Sequence, residues 1–304
     1  MDTLRKRIAV VGSINTDMVV KSSHIPRPGE TVLGGSFMMN SGGKGANQAV
    51  AAARLGGDVC FIARVGNDAL GERAVKLFRE EGIDTSAISI DETHASGVAL
   101  IMVDEKGENC ISVASGANAA LSPIEIEASA PIIENSALLL AQLETPVATV
   151  GRAARFARKA GATVVLNPAP ACPLPESLLH DVDIIIPNET EASILSGIEV
   201  TDMESARKAA EKIVASGVAV VIITMGAAGA LIYKDSHPIH IPSLKVKAVD
   251  TTAAGDTFCG AFVVALSEGR SIEDAVRFAT RCAAISVTRP GAQISQPRRN
   301  EVPE

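Results

Sequence analysis

Short apolar runs alternate along the chain with longer stretches in which apolar positions recur every three or four residues. The first pattern belongs to strands buried on both faces and the second to helices lying against them, so the alternation predicts repeated βαβ units. Predicted strands cover residues 8–11, 60–65, 138–142, 163–166, 184–187 and 220–224. Helices are expected to begin near Gly45, Leu70, Pro146, Glu189, Ser205, Gly255 and Ser271. Such a chain predicts an α/β fold with a mostly parallel, doubly wound sheet and helices on both of its faces. Two stretches break the rhythm. Residues from about 19 to 39 and from about 97 to 114 read as pairs of short alternating strands with no helix between them. They predict a small antiparallel β-sheet lid, inserted into a single domain that takes in residues 1–304, and such flaps close over ligands.

Composition narrows the function classes. The 304 residues are 47% apolar and 21% charged, which is ordinary for a folded globular chain. A net charge of −7 leaves no basic surface for nucleic-acid phosphates, so no nucleic-acid partner is expected. No apolar stretch reaches membrane-spanning length, and MDTLRKRIAVVGS lacks the apolar core of a signal sequence. The cysteines, Cys60, Cys110, Cys172, Cys259 and Cys282, are odd in number, widely spaced and free of CxxC pairs. Together these features predict reduced thiols in a cytoplasmic protein with no membrane association.

Candidate chemistry gathers where predicted strands end, which is where open α/β sheets bind ligands. Asn15 and Asp17 follow the first strand, and alone they would read as a polar turn. Gly42-Gly43-Lys44-Gly45-Ala46-Asn47 enters a helix; its glycines admit close backbone approach, and Lys44 and Asn47 add donors for a hydroxylated or anionic ligand. It is not a Walker loop, and no G-x-G-x-x-G fingerprint is present. Glu144 follows another strand, where it could equally be a solvated acid. Asn188 and Glu191 have the spacing of a capping box, a structural role compatible with a functional one. Thr224-Met225-Gly226-Ala227-Ala228-Gly229 joins two apolar strands as either a simple turn or a loop shaped around a nucleotide. Most telling is Ala253-Ala254-Gly255-Asp256 at a predicted helix start, where free N–H groups attract anions; alone the acid would read as a helix-start charge, and beside growing negative charge it could instead take a proton.

Taken in order, N-x-D, GGKGAN, a strand-end Glu, NETE, TMGAAG, DTTAAGD and TRPGAQ resemble the superfamily of ribokinase-like carbohydrate kinases over almost the full chain. GGKGANQA and AAGDTF are the most specific parts. The resemblance implies an α/β domain with a β-sheet lid, homodimers formed through the lids, and ATP-dependent phosphorylation of D-ribose at its 5-hydroxyl. Asn15, Asp17, Gly43, Lys44, Asn47 and Glu144 match sugar-binding positions. Asn188, Thr224, Met225, Gly226, Ala227, Ala228, Gly229, Gly255 and Thr280 match nucleotide contacts, and Glu191 matches an acid that influences Mg²⁺ and phosphate. Asp250, Thr252, Ser286, Arg289, Gly291 and Ser295 match a K⁺-binding loop built largely from backbone carbonyls. Asp256 matches the general base, with the N–H groups of Ala253, Ala254 and Gly255 as the anion hole. The histidines show no metal-ligand spacing and carry no assigned role.

Other substrates of the same fold, such as deoxyribose, fructose or a nucleoside, form the alternative. The absence of Trp and the single Tyr disfavour a base-binding lid. A non-catalytic sugar-binding regulator is disfavoured by an intact Asp256, and a nicotinamide dehydrogenase by the missing fingerprint.

Overall fold

In the computed structural model, which describes residues 7–303, every predicted buried run is a strand of one sheet. In chain order the strands are β1 (Ile8–Val11), β2 (Asn15–Lys21), β3 (Ser36–Gly42), β4 (Val59–Gly66), β5 (Ile88–Asp91), β6 (Gly97–Val103) and β7 (Asn109–Ala114). They continue as β8 (Leu138–Ala141), β9 (Thr163–Leu166), β10 (Ile184–Ile185), β11 (Val220–Thr224), β12 (Ala230–Lys234) and β13 (His237–Ile241). The main sheet has the order β13-β12-β11-β10-β9-β8-β1-β4-β5. All neighbours from β11 to β5 are parallel, and β12 and β13 add an antiparallel edge. Pro238, which has no N–H to donate, sits on that edge strand.

The main helices are α1 (Lys44–Arg54), α2 (Ala69–Glu80), α3 (Ala117–Ala120), α4 (Pro123–Ala128), α5 (Ala130–Glu134), α6 (Val147–Ala160) and α7 (Glu176–Leu179). After these come α8 (Glu189–Ser196), α9 (Met203–Val214), α10 (Ala254–Ser267) and α11 (Ile272–Ser286). Alternation along each strand splits the core in two. Ile8 and Val10 pack with residues of α1, α10 and α11, whereas Ala9 and Val11 pack with those of α6 and α9. The short helices α3, α4, α5 and α7 and the strand β5 were not legible as elements, because four to six residues are too few to show a period.

The lid departs from expectation in extent and in pairing. Its strands β3-β2-β6-β7 form a separate sheet that starts at Asn15 and reaches Gly42, where the sequence pattern had predicted residues 19–39. Asn15 and Asp17 therefore lie on a strand and not in a turn. The sheet is also mixed: two antiparallel pairs are joined by a parallel β2–β6 pairing in which Asn15 faces Gly97. Residues 97–114 contain β6 and β7 as expected.

Helices α1 and α10 cross at very close range, and this crossing aligns the functional residues. A Cβ placed on Gly260 would lie 2.6 Å from Ala51 Cβ and 2.7 Å from the Gln48 carbonyl oxygen. Gly260→Ala must therefore push the helices apart, and overpacking of this kind typically costs about 1–3 kcal/mol. The expected outcome is a loss of that size in urea denaturation, together with impaired turnover at temperatures where the variant stays folded.

Candidate active site

Strand β1 lies between β4 and β8, and the chain departs from it to opposite sides of the sheet. A crevice opens at such a reversal, beyond the carboxyl ends of the strands. Residues following β1 and β8 meet there: Ser13 Oγ donates to Glu144 Oε2 at 2.5 Å, and the Lys44 N–H donates to the same oxygen at 2.9 Å. Gly43 turns the chain into α1 with φ of 90°, a conformation that favours glycine. Glu144 thus holds the glycine-rich turn in place and is more than a solvated acid.

Asp256 stands on the first turn of α10 and is 7% exposed. Its Oδ2 accepts from Asn47 Nδ2 and its Oδ1 from Gln48 Nε2, both at 2.9 Å. Gln48 Nε2 also donates to Asn167 Oδ1 at 3.0 Å, and Gln48 Oε1 accepts from Gln142 Nε2 at 2.6 Å. Asn167 Nδ2 in turn donates to the Ile186 carbonyl at 2.8 Å. Burial pushes the Asp256 carboxyl up; Lys44 and the two amides oppose that, and Glu144 adds to it. Burial works to lower Lys44, but Asp256, Glu144 and Glu191 outweigh it and hold the ammonium above its usual value. Gln48, Gln142 and Asn167 were not identified from sequence. The available signal was a polar Asn-Gln pair inside an otherwise alanine-rich buried helix.

Ala253 caps α10 in the left-handed region, with φ of 58°. Of the three expected anion-hole donors, the Ala254 N–H already donates to the Thr251 carbonyl at 3.2 Å. Residues Ala253 to Asp256 line a cavity of about 160 Å³ together with Lys44, Asn188, Glu191 and Thr224. Asn188 and Glu191 form the capping box expected of their spacing: Glu191 Oε2 accepts from Asn188 N at 2.9 Å, and Glu191 N donates back to Asn188 Oδ1 at 2.8 Å. Burial is the main force pushing the Glu191 carboxyl up. Met225 is buried, and Gly226, Ala227 and Ala228 form a short 3₁₀ turn that Gly229 leaves with φ of 99°. Among the positions matched to a nucleotide, Asn188, Thr224 and Gly255 line the cavity, whereas Met225 to Gly229 and Thr280, on α11, do not; the Thr280 hydroxyl oxygen is buried with no partner among the described residues.

Across the crevice, Asn15 and Asp17 share one face of β2, and the missing side chain at Gly42 leaves room for the Asp17 carboxylate. Burial, then Glu144 and Asp256 nearby, push Asp17 up to about 6. Asn47 Oδ1 is buried with no hydrogen-bond partner among the described residues. The expected cation loop gathers by Asp250. Its Oδ1 accepts from the Thr252 N–H and hydroxyl, and its Oδ2 from the Gly291 N–H at 2.8 Å. Ser286 and Ser295 donate to the Ala283 and Ala292 carbonyls. The Arg289 guanidinium turns to Glu301 at 2.7 Å, so any part it has in the loop is through its backbone.

The family model of pfkB family carbohydrate kinases matches residues 5–299. A ribokinase of Haemophilus influenzae is 48% identical over 99% of this chain and 98% of its own length. A deoxyribokinase of Salmonella typhimurium is 39% identical over 95% of each. A ribokinase of Arabidopsis thaliana, solved in complex with ribose and ATP, superposes with a TM-score of 0.90 at 33% identity, covering 98% of this chain and 97% of that one. With the site built on the switch point of a lidded α/β sheet, these matches make the chain a member of the pfkB family of carbohydrate kinases.

Proposed function

We infer that the chain is a ribokinase, transferring the γ-phosphoryl group of ATP to the 5-hydroxyl of D-ribose. The observation that carries the mechanism is Asp256: a carboxylate buried at a helix start, each oxygen holding one amide donor and keeping a lone pair free. In this reading the sugar hydroxyl gives its proton to Asp256, the oxygen forms a bond to the γ-phosphorus, and the bond from that phosphorus to the ADP oxygen breaks. Burial raises the Asp256 carboxylate above its usual value, which makes it a stronger base than an exposed aspartate. The N–H groups of Ala253 and Gly255 and the Lys44 ammonium face the charge that spreads over the transferring group. Asn15, Asp17, Gly43, Lys44, Asn47 and Glu144 hold the sugar, with Asn47 Oδ1 accepting a hydrogen bond from one of its hydroxyls. Asn188, Thr224 to Gly229 and Thr280 border the nucleotide.

Mg²⁺ neutralises the ATP phosphates when bound, and Glu191, whose oxygens are already taken by Asn188, would reach it through water. K⁺ would be held by the Asp250 carboxylate and the carbonyls of the loop with Thr252, Ser286, Arg289, Gly291 and Ser295. The fit lies in a carboxylate that Thr252 and Gly291 keep below its usual value despite burial, with no side-chain cation from Arg289 competing for the site. Its charge would steady the donor turn before α10. The lid leaves Val20, Phe37 and Leu100 exposed on one face and Met38, Ile111 and Val113 on the other, which supports a homodimer through the lids. A cytoplasmic location, without nucleic-acid or membrane partners, accords with the acidic charge and with the absence of any membrane-crossing helix among the described residues. Deoxyribose is the second reading, favoured by the Salmonella relative.

ADP release measured with ribose, deoxyribose, fructose and adenosine should be fastest with ribose; a preference for adenosine would overturn the assignment. Asp256→Asn keeps the shape but removes the base, so kcat should fall by about 10²–10⁴-fold while nucleotide affinity changes little. Retention of more than about a tenth of kcat would return Asp256 to a helix-start charge.

Asp17 supplies a pH signature. Its folded value of about 6 exceeds the usual carboxyl value, so the folded protein keeps a proton that the unfolded chain releases between about pH 4 and 6, and stability falls as pH rises through that window. Asp17→Asn should stabilise the free protein by about 1–2 kcal/mol at pH 8, after discounting for solvent screening, and by nothing at pH 4. The same variant should raise KM for ribose, and ribose affinity of the parent should climb as pH passes 6. Urea titrations and sugar-binding measurements at the two pH values check both halves.

A further inference from the structure

We propose that Asn118, on the short helix α3, is a positioning residue that decides which end of the Asn15 carboxamide faces the sugar. The Ile14 N–H donates to Asn118 Oδ1 at 2.8 Å, and Asn118 Nδ2 donates to the Ile14 carbonyl at 2.9 Å. A carboxamide usually has two interchangeable orientations, but backbone N–H and C=O cannot exchange roles, so the Asn118 amide is locked. Its second N–H points at Asn15 Oδ1, 2.8 Å away. Were Asn15 turned over, two NH₂ groups would meet, and a buried donor left without a partner costs on the order of 1–3 kcal/mol. Asn118 is 2% exposed and Asn15 7%, so water offers little relief.

Gly97 shows how tightly this bond is built in. A Cβ there would lie 2.2 Å from both Asn118 Nδ2 and Asn15 Oδ1, so the hydrogen bond passes where any other residue would put a side chain. Gly97 opens β6 and pairs in register with Asn15, so body and both inner lid strands meet at this bond. Among the described residues no acceptor takes Asn15 Nδ2, which is left for the crevice. The consequence is a fixed polarity along β2: Asn15 offers only a donor, and two residues on, the Asp17 carboxylate offers only acceptors. The pair fits neighbouring sugar hydroxyls, one of which accepts from Asn15 while the other donates to Asp17. This inference rests on the reading of Asn15 as a sugar contact.

Asn118→Asp keeps the shape and still accepts from the Ile14 N–H, but it gives up the donors to the Ile14 carbonyl and to Asn15 and sets an oxygen against both. Asn15 then turns its NH₂ inward and presents an oxygen to the sugar. Expected is a rise of about tenfold in KM for ribose, with KM for ATP unchanged within twofold. In an Asn15→Ala background the same change should leave KM for ribose unaltered, because the group it orients is gone. Equal rises in both backgrounds, or KM for ribose and ATP rising together, would overturn the proposal and leave Asn118 a structural residue. If Asn15→Ala alone leaves KM for ribose unchanged, it is the sugar-contact reading that fails. Should Asn118→Asp not fold, Gly97→Ala, which wedges the same bond apart, is put through the same cycle with the same outcomes.

Discussion

A carboxylate that is 7% exposed at the foot of a helix must be kept charged by its neighbours, and the fold of this chain is arranged around that requirement. Asp256 comes from α10, its two amide donors from α1, and its cationic neighbour Lys44 from the first residue of α1. Those groups meet only because the two helices cross without side chains at Gly260 and because α1 starts directly against the end of β1. A Cβ on Gly45 would lie 2.5 Å from the Ser13 nitrogen. Small residues here set interhelical distance, and distance sets the hydrogen bonds.

The amide chain behind Asp256 extends this control into the sheet. Gln142 follows β8 and Asn167 follows β9, so the carboxylate is coupled through Gln48 to the ends of two parallel strands. On the opposite side, Gln296 Nε2 donates to the Asn47 carbonyl at 3.0 Å, and Arg54, paired with Glu81 at 2.5 Å, also binds the Gln296 carbonyl. The segment beyond Gly291 is thereby fastened to α1, the helix that supplies the two amide donors of Asp256. Ala253, held at φ of 58°, costs about 1–2 kcal/mol as a left-handed alanine. That strain stands at the turn whose residues, Ala253 to Asp256, line the cavity.

Much of this was legible in the sequence because it depends on local pattern. Buried strands announced themselves as uninterrupted apolar runs, and Asp256 stood out as an acid among small residues at a helix start. Gln48, Gln142, Asn167 and Asn118 did not, since a buried amide matters through partners far away in the chain, as the 94-residue separation of Gln48 from Gln142 and the 119 of Gln48 from Asn167 show. The lid illustrates the same limit. Its antiparallel pairs join neighbouring segments and could be read, but the parallel β2–β6 pairing could not, and the polar alternation of Asn15 and Asp17 resembled a turn until a partner strand was in view.

That parallel pairing also bears on the order in which the molecule assembles. Asn15 faces Gly97, and β3, α1, β4, α2 and β5 all lie between them in the chain. Bringing the two strands together ahead of those elements would mean closing a long flexible loop for little return, whereas a folded body delivers them already close. The lid is therefore expected to form late and, with β7 exposed along its whole length, to fray on warming before the buried main sheet does. The order that brings Asn15 and Asp17 into place is then separable from the foldedness of the body that carries it.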